Sequence, residues 1–132
     1  TRRNALDNAL SIWFLHLDHA MAYATDLGDI THHIREYQRL MRHWHTVYSQ
    51  DLIDVDYESL VRSPETEVRR LLDALELPWE PACLEFYRQR SLVKTASVWQ
   101  VREPLHRRSL GRWQNYATEL EPWRQALTEA PV

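Results

Sequence analysis

Apolar side chains recur along this chain in blocks whose spacing changes several times. Residues 7–25, which include the run ALSIWFLHLDHAMAYA, are apolar on most sides and predict a well-buried helix. The stretch TDLGD that follows breaks this helix and places Gly28 just past its expected end. Residues 29–48 repeat apolar positions every three or four residues, which predicts an amphipathic helix with the buried stripe Ile34, Tyr37, Leu40, Met41, Trp44, Val47 and Tyr48.

The spacing changes to two in the next segment of the chain. Residues 51–57 alternate aspartates with apolar side chains, which predicts a short strand carrying Ile53, Val55 and Tyr57. Ser63 followed by Pro64 is typical of a helix start, because Ser caps free N–H groups and Pro has no N–H to lose. The helix that follows is predicted to bury Val68, Leu71, Leu72 and Leu75.

The remainder of the chain predicts short helices around a loop. The segment ACLEFYRQR (82–90) predicts one short helix, residues 91–106 an ordered loop, and RRSLGRWQNY (107–116) and LEPWRQAL (120–127) two terminal helices. A helix pair, a strand and further helices indicate part of an α/β layered fold, mostly helical, with one or two parallel strands. One or two strands cannot form a sheet, so further strands are expected upstream of residue 1.

Composition narrows the functional classes. Hydrophobic residues make up 44% of the 132 residues and only two are Gly, which favours a folded, helical domain. The net charge is −3 and the pI about 6.1, which argues against a general nucleic-acid-binding protein. No apolar run is long enough to span a bilayer.

Cysteine and histidine usage bears on location and metal binding. Cys83 is the single cysteine, so no disulfide forms within the chain, and a reducing, cytoplasmic location is expected. Its neighbours Leu84 and Phe86 predict a buried, inert thiol. Seven histidines are present, but those at 32 and 33, or at 43 and 45, point apart on a helix, so no metal site is predicted.

The first eleven residues are the most suggestive for ligand binding. Arg3 precedes a predicted helix and Ser11 lies inside it, so both could converge on one anion near the helix start. Free N–H groups and the positive end of the helix dipole favour phosphate there. When this stretch is considered alone, a solvated arginine and a buried helical serine explain it better than an anion site does.

Three segments, in order, resemble the sulfotransferases that use 3′-phosphoadenosine 5′-phosphosulfate. Arg3, Asp7 and Ser11 form R-x-x-x-D-x-x-x-S, which is similar to the family's segment for the donor's 3′-phosphate, with Ala5 in place of the usual Pro. DVDYESLVRSPETEVRRLLDALELPWE (54–80) resembles its strand–helix segment ending in LPW. SVWQVREPLHRRSLGRW (97–113) resembles the C-terminal loop of tyrosylprotein and related bacterial, tetratricopeptide-linked sulfotransferases.

The resemblance implies a role for particular side chains. Arg3 and Ser11 would bind the 3′-phosphate, and Tyr57 would contact the adenine or its ribose. Ser97 and Arg112 would serve the transferring 5′-phosphosulfate end, as catalytic and donor-binding residues. Arg107 and Arg108 are expected to be exposed residues at a helix start, with contact to the donor phosphates as their alternative role.

The resemblance also implies what the chain lacks. The family's phosphosulfate-binding loop and general base precede the Arg–Ser segment, so residues 1–132 are expected to form one partial domain. That domain would be the C-terminal half of a P-loop-NTPase-like three-layer fold, inactive alone. The co-substrate would be 3′-phosphoadenosine 5′-phosphosulfate without a metal, and the acceptor a hydroxyl, with tyrosyl groups of proteins or peptides among the candidates.

Two other functions remain open from the sequence. A non-catalytic helical adaptor would use its Tyr- and Trp-rich face to bind another protein and would leave Arg3, Ser11, Ser97 and Arg112 scattered. A nucleotide kinase of related topology would need a phosphate-binding lysine upstream, and the C-terminal loop disfavours it.

Overall fold

The computed structural model describes residues 1–15, 19–88 and 102–128. Its α-helices are α1 (Ala5–Trp13), α2 (Leu27–Val47), α3 (Tyr57–Arg62), α4 (Pro64–Ala74) and α5 (Glu121–Thr128). Short 3₁₀ helices occupy His19–Thr25, Pro81–Leu84, Phe86–Arg88, Arg107–Ser109 and Arg112–Tyr116. The chain divides into two compact units: a first unit, Thr1–Arg2 with Ile53–Arg108, and a second unit, Arg3–Leu52 with Ser109–Val132.

The core of the second unit lies where α1, α2 and α5 pack together. Buried apolar side chains from these helices, and from the residue before α5, form one cluster: Leu6, Ala9, Leu10, Ile30, Ile34, Leu120 and Trp123. The ring of Trp13 meets that of Trp123 edge-on, with centroids 6.0 Å apart. The second unit is therefore a small helical assembly built from two separate parts of the sequence.

Side-chain caps set where α1 and α2 begin. Asn4 caps α1, and Asp26 caps α2 by accepting N–H bonds from Gly28 (2.7 Å) and Asp29 (3.0 Å). The expectation that Gly28 follows the end of the first helix is therefore wrong, because Asp26 draws this glycine into the first turn of α2. The single helix predicted over 7–25 is also wrong: α1 ends at Trp13, and Met21 is non-helical within the 3₁₀ segment.

The second predicted helix is confirmed, but its apolar stripe is buried only at the start. Ile30 and Ile34 belong to the core. Further along α2, side chains that the pattern predicts as buried are exposed: Tyr37, Leu40, Trp44 and Val47. The described core against α1 and α5 includes only the N-terminal part of this stripe, so periodicity alone overestimated its burial.

In the first unit, the extended segment before α3 pairs with the start of the chain. Arg2 and Asp56 form a parallel bridge, in which the Arg2 N–H donates to the Val55 carbonyl (2.6 Å) and the Tyr57 N–H to the Arg2 carbonyl (2.9 Å). No strand forms within the described ranges, because one bridge does not extend into a ladder. Of the short strand predicted over 51–57, the structure shows only this single pairing. The presence of one or two parallel strands therefore stays a prediction.

The remaining part of the first unit is more exposed than its pattern predicts. Pro64 opens α4 as expected, but no residue of α4 is fully buried, and Leu75, just past its end, is 55% exposed. In the described part of the helix predicted over 82–90, the chain forms two 3₁₀ turns, Pro81–Leu84 and Phe86–Arg88. The prediction of a buried thiol is wrong, because this short turn leaves Cys83 exposed.

Candidate functional site

The start of α1 offers fewer backbone donors than the sequence suggests. The side-chain oxygen of Asn4 accepts N–H bonds from Leu6 and Asp7, both at 3.1 Å. Two N–H groups of the first turn are therefore already satisfied within the protein. An anion at this end of α1 would depend mainly on the helix dipole and on side chains such as Arg3.

Asp7, in the first turn of α1, is a buried carboxylate that joins distant parts of the chain. It is 2% exposed. Its Oδ2 accepts the Gly111 N–H at 2.7 Å and its Oδ1 the Trp113 N–H at 2.9 Å. These bonds cross 104 and 106 residues of sequence, so Asp7 fixes the C-terminal segment against α1.

Arg3 makes a second connection to the same segment. Its side chain is half-buried, and its Nη2 donates to the Ser109 carbonyl at 3.5 Å. These contacts and those of Asp7 bring residues 109–113 against the start of α1, whereas Ser97, the other predicted residue of this site, lies outside the described residues. We refer to residues 109–113 as the clamped loop.

Within the clamped loop, Arg112 is the exposed cation. Its guanidinium carbon lies 4.9 Å from the centroid of the Phe14 ring, a cation–π contact. Phe14 in turn packs edge-on against Tyr116, with centroids 5.6 Å apart. Trp113 packs against the core of the second unit, so it is an anchor for the loop rather than a ligand platform.

Gly111 explains why the helix predicted over 107–116 is broken. It has φ +64°, in the left-handed region that glycine adopts without a Cβ clash. The chain turns there between two 3₁₀ helices, Arg107–Ser109 and Arg112–Tyr116. This turn directs the Gly111 N–H to Asp7 immediately before Arg112.

Ser11 lies on the side of α1 that faces the clamped loop. It follows Asp7 by four residues and precedes Phe14 by three, and side chains at these spacings share one helix face. Asp7 and Phe14 both contact the clamped loop. Ser11 is half-buried. The structure therefore gathers Arg3, Ser11 and Arg112 in the second unit.

The other residues that the resemblance singled out lie elsewhere. Tyr57 is half-buried and begins α3 in the first unit. Arg107 donates to the Arg62 carbonyl (3.1 Å), and Arg108 pairs with the Glu103 carboxylate (2.5 Å), both on the surface of that unit. Ser97 lies outside the described residues.

Electrostatics at the start of α3 favour an ionised Asp56. The N–H of Ser59, at 2.7 Å from Oδ1, lowers the pKa of Asp56, and the Ser59 hydroxyl lowers it further. Because Asp56 immediately precedes Tyr57, this cap fixes the backbone on which the tyrosine is carried.

Asp7 and Phe14 are the residues that sequence reasoning missed. In the sequence, Asp7 stands out only as the middle letter of R-x-x-x-D-x-x-x-S. Nothing in the sequence indicates that Asp7 is buried or names Gly111 and Trp113 as its donors. Phe14 carries no sequence signal for a cation contact.

Neither a metal centre nor a membrane span is found in the part of the chain that the structure describes. Residues 1–15, 19–88 and 102–128 contain no group of three or more His, Cys, Asp or Glu arranged to hold a metal ion. Among the described helices, none combines the length and apolar character needed to cross a bilayer.

Comparison with known proteins identifies the class. The family model described as the sulfotransferase family matches residues 1–81, which include α1 and the Arg2–Asp56 pairing. The chain belongs to the sulfotransferase family, and membership implies a P-loop-like fold.

A curated relative extends the similarity beyond the matched residues. The chain is 37% identical over 131 residues to an uncharacterized protein of Aquifex aeolicus (strain VF5). This alignment covers 97% of the chain but only 17% of the relative. The similarity therefore includes the clamped loop, which lies beyond the family-model match.

Proposed function

We propose that this chain is the donor-binding, C-terminal part of a sulfotransferase domain. The complete domain would transfer a sulfuryl group from 3′-phosphoadenosine 5′-phosphosulfate to a hydroxyl acceptor. The observation that carries the proposal is the pair of hydrogen bonds from Gly111 and Trp113 to Asp7. They bring Arg112 to α1, which carries Ser11 and is preceded by Arg3.

The chemistry of the donor fits these side chains. It carries a 3′-phosphate and a 5′-phosphosulfate, and arginine binds such groups with charge-assisted hydrogen bonds. Arg3, beside the positive end of the α1 dipole, and Ser11 are suited to a phosphate. The exposed guanidinium of Arg112 is available to a second anionic group.

The proposed reaction is an in-line transfer. The acceptor oxygen forms a bond to sulfur as the bond from sulfur to the phosphate oxygen breaks, and the acceptor proton passes to a base. Adenosine 3′,5′-bisphosphate leaves with the extra negative charge, and Arg112 would stabilise that charge as it develops. Ser97 is proposed to act at the same end of the donor, from the resemblance alone.

The remaining assignments also belong to the proposal. The resemblance supports Tyr57 at the adenine or ribose and Arg107 and Arg108 as phosphate contacts, although Arg108 pairs with Glu103 here. An exposed ion pair contributes little free energy, so a phosphate could displace it. A cytoplasmic location, and a hydroxyl acceptor with tyrosyl groups among the candidates, complete the proposal.

Binding of adenosine 3′,5′-bisphosphate by the full-length protein tests the proposal. Arg3→Ala is expected to weaken binding by about 10- to 150-fold, which corresponds to about 1.5–3 kcal/mol for a hydrogen bond to a charged group. Arg39→Ala is the matched control, because Arg39 is an exposed arginine of α2 that pairs with Glu36. Equal affinities of the two variants in isothermal titration calorimetry would overturn the proposed role of Arg3.

One observation favours the adaptor as a second candidate. The exposed half of α2 presents Tyr37, Leu40 and Trp44, as a protein-binding face would. An adaptor would bind neither the bisphosphate nor the donor. Specific binding of adenosine 3′,5′-bisphosphate that depends on Arg3 therefore separates the two functions.

A further inference from the structure

We propose that Asp7 is a positioning residue for Arg112. The proposal rests on the proposed function and adds to it a group that never touches the donor. Asp7 is buried and faces the clamped loop, whereas the proposed phosphate contacts are Arg3, Ser11 and Arg112. Its role is to hold the backbone on both sides of Arg112.

The geometry of the carboxylate supports this role. One oxygen accepts the N–H of the residue before Arg112 (Gly111, 2.7 Å), and the other accepts the N–H of the residue after it (Trp113, 2.9 Å). A three-residue segment anchored at both ends leaves little freedom to its middle residue. The direction of the Arg112 side chain is then set by the Phe14 ring, 4.9 Å from the guanidinium carbon.

A carboxylate is required because both anchors are donors. Asparagine has nearly the same volume but only one acceptor oxygen, and its amide nitrogen is itself a donor. In Asp7→Asn, one of the two N–H groups would face the NH₂ group without an acceptor. At a site where Asp7 is 2% exposed, water does not readily replace the lost bond. The substitution therefore releases one end of the segment and keeps the other.

The structure offers a closely matched control. Asp7 and Asp29 occupy the same position, third after the capping residue, in α1 and α2 respectively. Asp29 is exposed, so Asp29→Asn removes the same charge from the same helix position without releasing a loop. Asp29→Asn is expected to leave turnover and donor affinity unchanged.

The experiment is a double-mutant cycle of turnover in the full-length protein. Arg112→Ala is expected to lower kcat by about 100- to 1,000-fold, as for the loss of one preorganised electrostatic donor. Asp7→Asn is expected to lower kcat by about 100-fold through misplacement of Arg112. It should change the dissociation constant of adenosine 3′,5′-bisphosphate less than Arg3→Ala does. In the Arg112→Ala background, Asp7→Asn should have no further effect on kcat.

The outcomes separate this inference from the function on which it rests. Absence of sulfuryl transfer by the wild-type protein, or unchanged kcat in Arg112→Ala, overturns the proposed function and the inference together. A loss in Arg112→Ala combined with unchanged kcat in Asp7→Asn overturns the inference alone. Additive losses in the double variant also overturn it, because a merely structural aspartate would act independently of Arg112.

A second measurement applies if Asp7→Asn does not fold. Hydrogen exchange of the Gly111 and Trp113 amides is followed in the wild-type protein, with and without adenosine 3′,5′-bisphosphate. If Asp7 positions the clamped loop, this loop opens locally without unfolding of the core. The bisphosphate should then slow hydrogen exchange of both amides at least tenfold relative to that of core amides of α2. The proposal would be contradicted if both amides exchanged only when the whole core unfolds and if the bisphosphate left their exchange rates unchanged.

Discussion

The guanidinium of Arg112 lies over the ring of Phe14, the residue that follows the last turn of α1. Phe14 is 43% exposed, so this contact is formed at the surface of the second unit rather than in its core. The ring can orient the cation while leaving its other side open to an anion.

This contact predicts a small but measurable coupling. Phe14→Leu keeps an apolar side chain but removes the aromatic face that Arg112 contacts. The coupling free energy between the two side chains should be about 0.5–1 kcal/mol, the usual size of an exposed cation–π interaction. The coupling is measured as the free energy of unfolding in urea for both single variants and the double variant with Arg112→Ala. The same cycle with Arg39→Ala, on a different helix, should give no coupling.

Gly111 is predicted to resist substitution because of its backbone conformation. Its φ of +64° costs other residues about 1–2 kcal/mol, so Gly111→Ala should lower the free energy of unfolding by that amount. Asn tolerates the left-handed region better than Ala, so Gly111→Asn should cost less. Urea unfolding of both variants tests the order, and an equal cost would argue against backbone strain as the cause.

The cap of α1 is predicted to contribute more than the corresponding residue of α4. Asn4 accepts two N–H bonds at the start of α1, so Asn4→Ala should destabilise the protein by about 1 kcal/mol. Ser63 stands at the same position before α4 but makes no capping hydrogen bond through its side chain. Ser63→Ala should therefore have a clearly smaller effect on the melting temperature.

Part of the loss of folding stability at low pH is predicted to come from Asp56. Hydrogen bonds from Ser59 lower its pKa in the folded protein below the ordinary value of 3.8. A carboxylate with a lowered folded-state pKa stabilises the fold above its unfolded pKa, and this contribution is lost as the pH falls through the folded-state value. Asp56→Asn keeps a capping oxygen but does not titrate, so below about pH 4 its stability should fall less steeply than that of the wild type. Parallel pH profiles of urea unfolding would contradict this assignment.

The proposed function predicts that Ser97 and Arg3 act on different kinetic constants. In the full-length protein, Ser97→Ala should lower turnover more than donor affinity, whereas Arg3→Ala should mainly weaken donor binding. A radiolabelled-sulfate assay measures both, and unchanged turnover in Ser97→Ala would remove this serine from the mechanism. The 132-residue chain alone should show no useful turnover, and robust activity would contradict the proposal of a partial domain.

The sequence predicted those elements whose stability is local. The three-residue and four-residue periodicity located α2 within two residues of its start and one of its end, and the LEPWRQAL segment located α5. Pro64 marked the start of α4 correctly. Such signals reside in neighbouring residues, so a pattern along the chain is sufficient to detect them.

Features that depend on distant residues were not predictable in the same way. Whether the second half of the α2 stripe and Cys83 are buried depends on which other side chains pack over them. The local sequence pattern carries no information about those side chains. The segment before α3 alternates like a strand, yet a strand needs a neighbour, and here the pairing is limited to Arg2 and Asp56. The resemblance placed Arg3 and Arg112 near one ligand, but the carboxylate that links their segments was found only in the structure.

The division of the second unit between two stretches of sequence has a consequence for synthesis on the ribosome. About 106 residues separate Asp7 from its partner Trp113, so at about 5–20 residues per second the carboxylate waits about 5–20 s for that N–H. Most of the first unit, Ile53–Arg108, emerges during this interval and can fold first. A nascent chain that stops before residue 111 would hold α1 with an unsatisfied carboxylate and without the Leu120 and Trp123 side chains, and is expected to be a substrate for chaperones and proteases.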